Sequence, residues 1–179
     1  MATSTTLTDD FRAEYTRYRL LAEKALAQMP DAALNRVFAP DGNSAAMIVR
    51  HMSGNLTSRF TGFLTEDGEK PNRDRDREFD DRTYSRAEMD ALWSSGWSVL
   101  EDALRSLSDA DLSGTVTIRQ QPMTVHGALS RSLAHVAYHV GQIVLVARMT
   151  ADHDWQSLSI PKGQSQTYNA SPTREKKPV

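Results

Sequence analysis

Apolar residues recur along the chain in four long stretches with helical spacing. The first runs from Asp9 to Met29 and carries Phe11, Tyr15, Tyr18, Ala22, Ala25 and Met29, in alternating steps of four and three. Thr8 is placed to cap this helix, Asp9 and Asp10 lie at the positive end of its dipole, and Pro30 stops it. The second runs from Ser44 to Leu64 and puts Val49, Met52, Leu56, Phe60 and Phe63 on one stripe. The third opens with Ser85-Arg86-Ala87-Glu88, a capping-box pattern, and continues through Met89, Leu92, Trp93, Leu100, Ala103, Leu104 and Leu107. The fourth, Thr124 to Thr150, turns Val125, Leu129, Leu133, Val136, Val140, Ile143 and Ala147 inward. These patterns predict an all-α four-helix bundle.

The connections differ in kind. Pro30 to Asn43 is short enough for an antiparallel hairpin of helices one and two. Glu66 to Tyr84 is long and highly charged, enough for a full crossover along the bundle. Between helices three and four, Thr115 to Ile118 and Met123 to Val125 predict a small β-hairpin, separated by Gln120, Gln121 and Pro122. The segment 1–169 is expected to form a single domain, with 170–179 as a disordered polar tail. The two halves echo each other: aligning His51 with His135 places Val49 on Leu133, Met52 on Val136 and Asn55 on His139, as two helical hairpins of common design would.

Composition removes several function classes. The 179 residues are 39% hydrophobic and 25% charged, ordinary for a globular chain, and the net charge of −2 offers no nucleic-acid footprint or polybasic membrane surface. There is no cysteine, so disulfides, thiolate metal sites and a cysteine nucleophile are excluded together. No signal-peptide core or long apolar run appears, so a cytoplasmic protein without a membrane span is expected.

The candidate chemistry lies in histidines. His135 and His139 are four apart on helix four, which puts two imidazoles on one face, about one turn apart. Both lie on the flank of the apolar stripe, and His51 lies at a similar offset on helix two. His51 joins the pair only where helix two packs beside helix four. Three histidines without a carboxylate match a catalytic zinc site, which leaves a fourth position open. The blander reading is three histidines satisfying polar contacts at a helix interface. Val136 follows the first histidine, so the H-E-x-x-H pattern and its in-line general base are absent and a zincin protease is not expected. Asn55, one turn after His51, is the candidate for orienting a ligand by a hydrogen bond, ahead of Tyr138 and Gln142, whose angles point further from the core. His126 and His153 read as structural or surface residues. The run Asn72-Arg73-Asp74-Arg75-Asp76-Arg77-Glu78 reads as a solvated loop with local ion pairs, or else as a lid whose arginines meet an anionic substrate, with Arg59 and Lys70 in the same role.

With those residues in view, the chain resembles the DinB-like superfamily of metal-binding four-helix bundles, which includes the YfiT-type thiol S-transferases and the mycothiol-dependent maleylpyruvate isomerases. The markers are Ile48-Val49-Arg50-His51 and, more specific, His135-Val136-Ala137-Tyr138-His139-Val140-Gly141-Gln142-Ile143. Gly54 to Phe60, Gly68 to Pro71 and Ser159 to Ser165 look like a branch of unknown function. The resemblance implies a divalent metal held by His51, His135 and His139, zinc or nickel first and iron or manganese after them. It also implies an up-down-down-up bundle and a homodimer. The thiol S-transferases in the superfamily suggest a low-molecular-weight thiol and a small electrophile as partners. A non-catalytic, metal-stabilised stress-response dimer and a metal-dependent hydrolase are the alternatives.

Overall fold

The computed structural model describes residues 6–173 and 175. Four long helices dominate: α1 (Leu7–Leu26), α2 (Ala45–Phe60), α3 (Arg86–Ser106) and α4 (Val125–Thr150). A hairpin of β1 (Thr115–Ile118) and β2 (Gln121–Thr124) precedes α4, and a short α5 (Ser165–Ala170) follows it. The expected four-helix bundle with its hairpin is therefore what the chain forms. Part of the 170–179 segment, residues 174 and 176–179, lies outside the described residues.

The helices close a ring in which α2 packs on α3, α1 on α4, α2 on α4 and α1 on α3. Side chains fix the directions. Arg12, near the start of α1, donates to the carbonyls of Leu104 and Leu107 at the end of α3, so this pair is antiparallel. Phe11 sits edge-on to His126 in the first turn of α4, so α1 and α4 run together. The bundle is up-down-down-up, and the long second connection carries the chain back along it. Consecutive helices α1 and α2 thus face across the ring rather than forming the simple hairpin that their short connection suggests.

Local chemistry shifts the element ends. The N-cap of α1 is Thr6, not Thr8: its hydroxyl accepts from the Asp9 backbone, and the Asp9 carboxylate accepts from Thr6 in return. Thr8 is buried and instead donates to the Asp109 carboxylate at 3.0 Å. The second helix stops at Phe60, short of Leu64, because Gly62 takes a left-handed φ of +57° and turns the chain. In the hairpin, Gln121 and Pro122 belong to β2 rather than to the turn, which is made by Arg119 and Gln120. Both residues have positive φ, 55° and 61°, a strained choice for side chains other than glycine. Asp67 of the crossover compensates by accepting both of their backbone N–H groups, at 2.8 and 2.7 Å. Together with the Glu69 amide, those bonds hold its carboxyl at about 2. The crossover and the hairpin are thereby tied into one wall.

The core runs the length of the bundle. Tyr15 is fully buried, donates its hydroxyl to the Leu129 carbonyl at 2.9 Å, and meets Trp97 and Phe60 edge-on. Gly96 of α3 lets α2 come close: a Cβ there would sit 2.6 Å from the Ser53 Cα. That close approach sets the position of α2 and so of His51, one turn below Asn55. Among the described residues, no helix is long and apolar enough to cross a membrane.

Candidate metal centre

Two helices contribute to one site. His51 comes from the middle of α2, and His135 and His139 from successive turns of α4, where the bundle brings these helices together. The His51 Nε2 lies 3.2 Å from His135 Nε2, and the His139 Nε2 lies 3.1 Å from it. His51 and His139 are buried, with 4% and 7% of their surface exposed. All three ligand atoms lie within 4.8 Å of one another, the group that could hold a metal ion among the described residues.

The outward nitrogens decide what the inward ones present. The His51 Nδ1 is 2.8 Å from the Glu78 carboxylate, which only accepts, so Nδ1 carries the proton. The His139 Nδ1 is 2.8 Å from the Gln142 side-chain oxygen, which fixes the same tautomer. Both rings therefore turn a bare Nε2 lone pair toward the His135 Nε2. Nitrogens bound to one tetrahedral ion at 2.0–2.1 Å would stand about 3.4 Å apart, close to the 3.1 and 3.2 Å separations from the His135 Nε2. A site with acceptor-fixed outer nitrogens is the arrangement that metal-binding histidines use.

Glu78 is the residue that the sequence did not disclose. It sits in a 3-10 turn, Asp76–Phe79, inside the charged crossover, yet is 5% exposed. The turn docks against α2 because Gly54 has no side chain: a Cβ there would lie 2.2 Å from a Glu78 oxygen. One Glu78 oxygen accepts from Arg73 Nε at 2.8 Å; the other accepts from Arg73 Nη2 at 2.9 Å and from His51. Burial raises its pKa, but the bonds from His51 and Arg73 outweigh it and hold the carboxyl below its ordinary value. The charged run thus divides: the Arg73 side chain and Glu78 are buried and orient His51, while Asp74, Arg75, Asp76 and Arg77 are exposed. Gln142, expected to point away, reaches back to the residue three before it. Asn55, the expected orienting residue, lines the adjoining cavity and makes no hydrogen bond to the three histidines. His126 packs on Phe11, away from the cluster, and His153 is exposed.

The cluster opens on a cavity of about 1210 Å³ between α2, α4, the hairpin and the crossover. Its walls mix Phe60, Phe63, Phe79 and Met123 with arginines. Arg59 lines it while donating to the Gly68 carbonyl and to Glu69. Lys70 lines a second cavity of about 600 Å³ and pairs with Glu66.

Protonation of the cluster is opposed. Burial pushes His135 down to about 3, with the positive charges of His139, His51, Arg73 and Arg59 adding to it. Burial also lowers His139, against the bond from Gln142. In the metal-free protein the unfolded chain then binds more protons than the folded chain below the ordinary histidine value of 6.5. Stability is therefore lost as pH falls through that value toward 3. Urea unfolding in chelator should show a lower midpoint at pH 5 than at pH 7.5, and His135→Gln should flatten the dependence. An equal drop in the variant would show that the histidines are not the titrating groups.

Four helices of this topology, with the small hairpin, make a DinB-like helical bundle. The chain belongs to the family described as "Protein of unknown function (DUF1572)", which matches residues 2–164. A DinB-like protein from Bacillus cereus ATCC 10987 has the same fold, with a TM-score of 0.59 and 17% identity over 86% of this chain and 100% of that chain. At that identity the likeness is one of fold. No curated protein matches the chain.

Proposed function

We propose that this protein is a divalent-metal thiol S-transferase acting on small electrophiles in the cavity beside α2 and α4. The carrying observation is the convergence of three imidazole Nε2 atoms beside a large cavity, with the outer nitrogens of His51 and His139 held by Glu78 and Gln142. His51, His135 and His139 would hold the ion; neutral imidazole suits zinc, nickel and iron, and manganese less well. A bound divalent ion with an open position supplies Lewis acidity, which lowers the pKa of a thiol or a water held there. The apolar walls at Phe60, Phe63 and Met123 limit the water around the reacting sulfur.

Thiol transfer is favoured over hydrolysis by the state of Glu78. Activating water needs a proton acceptor, and both Glu78 oxygens are already committed to Arg73 and His51. A thiol ionises near pH 8.5 unaided, so its proton can leave to solvent. Its sulfur then bonds to the electrophilic carbon, and the leaving group departs with the electron pair. A purely structural ion fits less well, because the group has three members among the described residues and structural zinc sites close with four.

The test is thioether formation from a panel of thiols, including cysteine, coenzyme A and mycothiol, with a chlorinated aromatic electrophile. The expected result is turnover that chelation stops and added metal restores. No acceleration over solution in the zinc, nickel, iron and manganese forms would overturn the reading.

A further inference from the structure

The cavity beside the histidines is unusually cationic for a chain of net charge −2. Arg59, Arg73, Arg75, Arg119 and Arg131 line it, against the aspartates Asp41 and Asp81. Most of that charge has a structural use. Arg73 is engaged with Glu78, and Arg59 and Arg119 share Glu69 at 3.1 and 2.9 Å. Arg75 lies over the Phe79 ring at 5.2 Å.

Arg131 stands apart. It is exposed, lines the cavity, and makes no ion pair or hydrogen bond through its side chain with another described residue. It sits on α4 four residues before His135 and eight before His139, so all three side chains leave the same side of the helix. The Arg131 Cα then stands about one helical turn, roughly 6 Å along the axis, from that of His135, and both side chains line the same cavity. A small molecule of a few carbons spans that gap. The guanidinium fork matches a planar carboxylate with two parallel hydrogen bonds, which an amide or alcohol cannot reproduce.

We propose that the cavity takes a carboxylate-bearing small molecule, its carboxylate held by Arg131 and its reacting end at the three-histidine cluster. Arg131 is a binding residue for the anionic end. Arg59 and Arg73 line the same cavity and add a positive field. The inference deepens the S-transferase reading by giving the charge of its substrate, but the binding step needs only the cavity and Arg131.

The test is calorimetric titration of the zinc-supplemented protein with succinate and, separately, with its neutral isostere succinamide. Wild type should bind succinate at least about tenfold more tightly than succinamide. Arg131→Gln should weaken succinate about tenfold and leave succinamide unchanged, while Arg131→Lys recovers part of the loss. Arg131 is exposed and unpaired among the described residues, so neither variant should disturb folding. Equal binding of the two ligands, or succinate affinity within twofold of wild type in Arg131→Gln, would overturn the inference. Succinate carries no thiol, so the outcomes separate. Charge-selective binding without thioether formation would sink the transferase reading alone. Thioether formation indifferent to substrate charge, with no preference for succinate, would sink this inference alone.

Discussion

Glu78→Ala is expected to lower zinc affinity by about 10–100-fold and to destabilise the metal-free protein by about 3 kcal/mol. The two effects have separate causes. His51 loses the acceptor that fixes its tautomer and ring orientation, so its Nε2 no longer presents a lone pair on demand. Arg73, whose side chain is 5% exposed, loses the Glu78 carboxylate at 2.8 Å and keeps Glu69 at 3.9 Å. Removing one partner of a buried ion pair leaves an uncompensated charge, which costs more than the pair was worth. At this chain length the expected fall in Tm is about 6–12 °C. Glu78→Gln keeps an acceptor for the His51 Nδ1–H, so it should lose less zinc affinity than alanine. Gly54→Ala should reproduce the effect without touching either charge, because its methyl group occupies the place of the Glu78 oxygen. Competition titrations with a chromogenic zinc chelator and thermal melts of the metal-free forms measure the two effects. Unchanged zinc affinity in Glu78→Ala would mean that Glu78 does not orient His51.

Helix existence and type were legible from period alone, because each stripe of buried residues repeats at the helical spacing. The ends were less so. Thr6 and Thr8 are both credible caps by type, and only the Thr6–Asp9 box against the Thr8–Asp109 contact separates them, the latter joining residues 101 apart. The hairpin was visible in its β-branched residues, but its register was not. A turn of Arg119 and Gln120 at positive φ depends on Asp67, over 50 residues away, to accept its amides.

The site divides along the same line. His135 and His139 are a local pattern, four apart on one face, and His51 was legible from its matching offset on α2. Gln142 was within reach of the same reasoning, since residues three apart on a helix are neighbours and a long side chain can turn back. Glu78 was not. Its carboxylate looks like any other in an alternating charge run, and its burial depends on a notch at Gly54 that only the packed structure reveals.

The largest expected effect belongs to His135. Its Nε2 is the one that stands within 3.2 Å of both others, so its loss removes the shared vertex of the cluster and leaves two nitrogens on different helices. Two imidazoles alone do not make a site that survives purification, whereas three leave a divalent ion stably held with one position open. His126→Ala is the matched control, since His126 lies on the same helix and packs on Phe11 instead. The measurement is elemental analysis of the wild-type protein, His135→Ala and His126→Ala, purified side by side without chelator. About one equivalent of a divalent metal in wild type and in His126→Ala, and a background level in His135→Ala, is the predicted result. No metal in any of the three, and none taken up when zinc or nickel is added, would contradict the account.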